Sequence, residues 1–181
     1  MIRTRVGYSG GTKRNPTYHD LGDHSETLQI DFDPARISYE RLLEVFWKAH
    51  DPTDRSGSRQ YRAVLFFHSE EQKRSAEESR DREAGRIKGK IQTEILPATE
   101  FHLAEGYHQK YYLSLNSFLS AEFRQMFPLE KDFINSTAAA RGNGYIGGYG
   151  TVAGLQEDLD RLGLSEEGRK RLLASASVSK Q

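Results

Sequence analysis

Residues 63–67, Ala-Val-Leu-Phe-Phe, are the longest unbroken apolar run in the chain. Five residues is strand length, and a strand apolar on both faces belongs inside a sheet, with other strands beside it and helices over it. The flanking sequence supplies both. "ETLQIDF" sets Leu28, Ile30 and Phe32 against Gln29 and Asp31, the period of a half-buried strand. "DPARISYERLLEVFWKAHDP" carries Leu42, Leu43, Phe46 and Trp47 at helical spacing, with Ser38 as N-cap and Pro52 beyond its end. "RQYRAVLFF" reads as one strand, Ser69 with Gln72 starts a highly charged, exposed helix to about Gly85, and Ile91, Thr93 and Ile95 alternate as a further strand. The segment "FHLAEGYHQKYYL" is aromatic-rich and partly helical in pattern. Strands alternating with helices predict an α/β fold.

Beyond Leu113 the periodicity loosens. "STAAARGNGYIGGYGT" predicts a short helix in its first half and then a loop, leading to two terminal helices that start near Thr151 and Ser165. The tail from Ala174 to Gln181 is expected to fray. At the other end, Ile2, Thr4 and Val6 alternate from the first residues, so a strand begins with nothing before it to pair with or to cover its core face.

Composition excludes several functions. Lysine plus arginine and aspartate plus glutamate both number 26, so no global field points to nucleic acid or to a membrane surface. The apolar run is far too short to span a bilayer and "MIRTRVGYSGG" has no signal-peptide core, which makes a cytoplasmic location the expectation. There is no cysteine, hence no disulfide, thiolate metal site or thiol nucleophile among these residues.

Residues 8–26, "YSGGTKRNPTYHDLGDHSE", combine turn formers with two tyrosines, two histidines and a glutamate. "GGTK" lacks the G-x-x-x-x-G-K-[ST] order of a phosphate loop. His19, Asp20, Asp23, His24 and Glu26 have no second ligand pair at helical spacing, so no metal is expected. Glu105 to His108 gives one Glu-x-x-His, where di-iron bundles use two. What remains is Glu26 as a proton donor, its carboxyl raised by desolvation among aromatics, with Tyr18 and Tyr61 as neutral hydrogen-bond donors to a polar oxygen. The competing reading makes both tyrosines core-rim aromatics and Glu26 a surface charge.

"RVGYSGG", "NPTYHDLGDHSE", "FDPARISYERLLEVFWKAHDPT", "RQYRAVLFFHSEEQ", "KIQTEILPATEF" and "AEGYHQKYYL" occur in this order, and over about residues 2–113 the chain resembles the peptide methionine sulfoxide reductase A family. The resemblance implies a two-layer α/β sandwich around a mixed sheet for residues 1–113, without its N-terminal strand and helix, and a family-subset helical extension over residues 114–181. It implies reduction of methionine S-sulfoxide, free or in proteins, with Glu26 as the acid and Tyr18 and Tyr61 holding the sulfoxide oxygen. No bound cofactor is implied; an external thiol, thioredoxin-type or dithiothreitol, is the reductant.

Three departures accompany the resemblance. The loop before "QYR" is shorter than in the family, so either Asp54 or no residue stands for the family's aspartate. The family's G-C-F-W, with its nucleophile and its methyl-binding Phe and Trp, precedes "RTRVGY" and is not in these residues; Ile146 stands where a recycling cysteine is frequent. The expectation is an upstream strand and helix, roughly 20–40 residues, bearing cysteine or selenocysteine; the alternative is a non-catalytic module that binds methionine or methionine-sulfoxide peptides.

Overall fold

The computed structural model describes residues 2–178. It is an α/β fold whose contacts divide it into two compact units, one of Val6–Leu28 and Phe32–Ala104, the other of the chain up to Arg5, Gln29–Asp31 and the chain from Glu105 onward. Parallel and antiparallel pairing both occur, distributed over two sheets. In one, β1 (Arg3–Ser9) is central, flanked by β2 (Ser25–Asp31) and by β5 (His102–Leu103), which runs antiparallel to it with Gly7 opposite Leu103. In the other, β3 (Val64–Phe67) lies parallel to β4 (Glu94–Pro97), Leu65 opposite Ile95. Parallel neighbours need a crossover. Here it contains α2 (Glu70–Ala84), whose Ser69 cap accepts from the Gln72 amide while the Gln72 side chain accepts from the His68 amide.

The expected Ser38 cap starts α1 (Tyr39–Lys48). α1 buries Leu43 and Trp47, which pack with Leu65 and Ala76, and the Trp47 indole donates to the buried Ser79 of α2 at 2.9 Å. α2 is charged over most of its length, and its two buried residues, Ala76 and Ser79, are the small ones that admit the indole.

Several expectations are corrected. β1 is paired on both sides. Of "RQYRAVLFF" only Val64–Phe67 is strand, since Arg59–Tyr61 form a 3-10 turn, and among the described residues β3 pairs with β4 alone. Strand pairing in "GKIQTEILP" begins at Glu94, because Thr93 is turned to the His50 ring at 3.0 Å. Leu28, expected on a buried face with Ile30 and Phe32, is 57% exposed.

The other unit is helical: α3 (Tyr111–Ser114), α4 (Ser117–Met126), α5 (Glu130–Asn135), α6 (Thr137–Ile146), α7 (Val152–Asp158) and α8 (Glu166–Val178). Helices of four to seven residues are marginal alone, so packing makes them. Leu113, Leu119, Phe123, Phe133, Leu155, Leu162 and Leu172 form one buried cluster. α4 and α5 escape the pattern reading, and α6 runs through Gly142 and Gly144 to Ile146 instead of stopping half-way. Gly142 is there for closeness: a Cβ at that position would lie 2.8 Å from the Phe123 ring. Nor does the chain fray at Ala174, as α8 continues to Val178 and buries Ala176; residues 179–181 lie outside the described residues.

Lys110 is buried, in left-handed backbone conformation (φ 51°), and its ammonium donates to the carbonyls of Thr4 (2.6 Å) and Ile134 (2.9 Å) and to the Thr4 hydroxyl. Desolvation, and then the nearby Arg5 charge, lowers it from 10.5 to about 8. Between those values the unfolded chain binds the proton and the folded one does not, so stability rises with pH across that window. Comparing urea unfolding of the wild type with Lys110→Met from pH 8 to 10.5 is expected to show a gain of about 3 kcal/mol in the wild type that the variant lacks.

Candidate functional site

Residues 10–26 are held by their own polar groups. The Asp23 carboxylate accepts from the amides of Thr12 (2.8 Å) and Lys13 (3.2 Å) and from the Thr12 hydroxyl (3.0 Å), which pull its pKa down to about 2, the Thr12 amide most. Fully buried His24 accepts from the Gly11 amide at Nδ1 and donates from Nε2 to the Lys13 carbonyl at 2.8 Å, so the ring carries its proton on Nε2. Asp20 pairs with Lys13. These bonds engage three of the five residues weighed as metal ligands, and among the described residues no group of three or more His, Asp or Glu converges on a metal position.

With the loop anchored, Tyr18 packs its ring against buried Tyr8, Leu21 and Ala104. Its hydroxyl lies 3.3 Å from that of Tyr61. The three residues singled out in the sequence thus gather within one compact unit. Tyr61 is 59% exposed at the end of the 3-10 turn, which Ser58 caps by accepting from the Gln60 amide. The hydrogen bond with Tyr18 pushes the Tyr61 phenol above its usual range, and desolvation and the charges of Tyr18 and Glu26 add to the rise. Glu26 is half-buried at the start of β2 and accepts from the Gln60 side-chain amide at 2.7 Å.

Sequence reasoning did not single out the residues that fasten these groups. Ser25, fully buried, donates to the Arg59 carbonyl (2.9 Å) and accepts from Arg62 Nε (2.7 Å), gripping the turn on both sides of Gln60 and Tyr61. Arg62 in turn reaches both Glu94 oxygens at 3.1 Å. The signal for Gln60 was its place beside Tyr61; Ser25 adjoins Glu26 but carries no local mark of a lock to residues 34 and 37 positions away. Asp54 is exposed, its amide closing a turn on the Asp51 carbonyl. An open cavity of about 340 Å³ beside residues 11–15, Glu100 and His102 is lined by none of Tyr18, Glu26 and Tyr61.

A family profile described as peptide methionine sulfoxide reductase matches residues 1–140. The chain belongs to the peptide methionine sulfoxide reductase family. A second profile, described as the helical domain of selenoprotein methionine sulfoxide reductase A, matches residues 130–169, from α5 into the first turn of α8. Among curated members of the reductase family, the chain is 46% identical over 136 residues to the peptide methionine sulfoxide reductase MsrA of Methanosarcina mazei, covering 68% of this chain and 64% of that one. With the peptide methionine sulfoxide reductase of Drosophila melanogaster it shares 37% identity over 175 residues, covering 94% and 69%. This chain thus spans about two thirds of the length of such relatives. Among solved structures it is similar to reduced Mxr1 of Saccharomyces cerevisiae (TM-score 0.57, 31% identity, 63% of this chain and 71% of that one). It is similar also to methionine sulfoxide reductase A of Corynebacterium diphtheriae (TM-score 0.54, 31% identity, 64% of each chain).

Proposed function

We propose that this chain supplies the oxygen-binding and proton-donating side of a peptide-methionine (S)-S-oxide reductase. The observation that carries the reading is the pairing of the Tyr18 and Tyr61 hydroxyls, with the Gln60-bound Glu26 close enough for its charge to act on Tyr61, in a chain of this family. A phenol hydroxyl can turn to donate to a sulfoxide oxygen, and the Glu26 carboxyl, whose charge acts on Tyr61, is the group that protonates it. A thiolate or selenolate attacks sulfur as the oxygen takes the proton, methionine leaves, and the sulfenic or selenenic acid left behind is returned by two external thiols, yielding water and a disulfide. The attacking atom is not among these 181 residues, which hold no cysteine. The match of residues 130–169 to a selenoprotein helical domain favours selenium as that atom. Methionine sulfoxide, free or in proteins, is the substrate and a thioredoxin-type thiol the reductant. Among the described residues no helix is long and apolar enough to cross a membrane.

Binding tests the reading without turnover. The chain is expected to bind a peptide carrying methionine (S)-sulfoxide more tightly than its (R) epimer or the unoxidised peptide, and Tyr18→Phe and Tyr61→Phe each to weaken it by roughly 3- to 10-fold, the worth of one hydrogen bond. Equal binding of oxidised and unoxidised peptide, measured by calorimetry, would indicate a methionine-binding module instead.

A further inference from the structure

The Gln60 side chain is bound to Glu26, and the bond is directional. The amide nitrogen donates to Oε1 at 2.7 Å. A protonated carboxyl has one oxygen that accepts and one that carries hydrogen, and a donor is best met by the accepting one. Gln60 therefore assigns the carbonyl role to Oε1 and leaves Oε2 to carry the proton. Released from that bond, the carboxyl loses the donor that tells its two oxygens apart.

The backbone around Gln60 is built to keep it there. Its own amide is bound to the Ser58 hydroxyl, the residue before it is held through its carbonyl by Ser25, and Arg62, two residues on, donates to the same Ser25 hydroxyl. Ser25 is the chain neighbour of Glu26 and is fully buried. One buried hydroxyl thus ties the turn that bears Gln60 to the strand that bears Glu26.

We propose that Gln60 is a positioning residue that fixes which oxygen of Glu26 carries the proton and where that proton points. This rests on the reading of the site given above. Gln60 makes no contact with the sulfoxide in this scheme; it acts through Glu26, and orientation of a reacting group is worth large factors when lost.

The test is a binding titration of N-acetylmethionine (S)-sulfoxide against the 181-residue chain in mildly acidic buffer, followed by ¹H–¹⁵N spectra that also report the fold. Gln60→Leu, which keeps the volume and removes the donor, is expected to weaken binding roughly tenfold, the upper value for one hydrogen bond. Gln60→His, whose Nε2 donates from a similar reach, is expected to restore most of it. In a Glu26→Ala background Gln60→Leu is expected to change nothing further, because the coupling runs through the carboxyl. Unchanged affinity in Gln60→Leu, no rescue by Gln60→His, or the same loss with and without Glu26 each overturns the positioning role while leaving the oxygen site standing. No saturable binding by the wild-type chain overturns the site reading itself, and this inference with it.

Discussion

Given methionine sulfoxide and dithiothreitol, the purified 181-residue chain is expected to leave the sulfoxide unreduced. Reduction needs an electron pair delivered to sulfur, and a thiolate or selenolate is the atom this chemistry uses for it; the chain contains no cysteine to provide one. In the proposed site Glu26, Tyr18 and Tyr61 bind and protonate oxygen, and proton donation alone changes no oxidation state. The expected result is a rate indistinguishable from that of dithiothreitol without protein, measured by chromatography of free methionine. Protein-dependent turnover by a preparation of this sequence would show that another group in the chain delivers the electrons, and would end the proposed division of labour.

Where the attacking thiolate or selenolate is supplied in the same polypeptide, Glu26→Gln is expected to slow the chemical step by about 10²–10⁴-fold, the usual contribution of a positioned general acid. The sulfoxide oxygen becomes far more basic as its bond to sulfur breaks, so the proton stabilises the transition state much more than the bound substrate. Affinity should change little, since the amide that replaces the carboxyl still donates a hydrogen bond. Single-turnover release of methionine separates the two effects: a lower rate at saturating sulfoxide with an unchanged half-saturation point is the expected pattern. An unchanged single-turnover rate would remove Glu26 from proton transfer. A raised half-saturation point with the rate intact would make it a binding group only.

The parts of the fold legible in the sequence are those set by neighbours in the chain. Ser38, Ser69 and Thr151 were readable as helix starts because an N-cap is a contact within three residues, and each side chain does accept the expected amide. The strand at Val64–Phe67 follows from its unbroken apolar run, the helix at Tyr39–Lys48 from its period, and the helix at Glu70–Ala84 from its Ser69 and Gln72 start. The resemblance carried by "NPTYHDLGDHSE" and "QYR" likewise singled out Glu26, Tyr18 and Tyr61, and of these the fold sets the two tyrosine hydroxyls 3.3 Å apart.

Tertiary structure decided what depends on distant partners. Arg59–Tyr61 is a 3-10 turn and not the first half of a strand because Ser25, 34 residues away, takes hold of the Arg59 carbonyl. The pairing of Gln60 with Glu26 spans the same separation, so no local pattern announces it. Lys110, in a sequence context that suits solvent, is buried because carbonyls from Thr4 and Ile134 converge on its ammonium. The helices between Ser117 and Ile146 have weak periodicity since they are short and owe their stability to mutual burial, with Gly142 placed where Phe123 leaves no room for a Cβ. Local sequence sets a cap or a period because its cause lies within a few residues; the orientation of an acid, the burial of a charge and the contact of two helices have causes that only the folded chain brings into range.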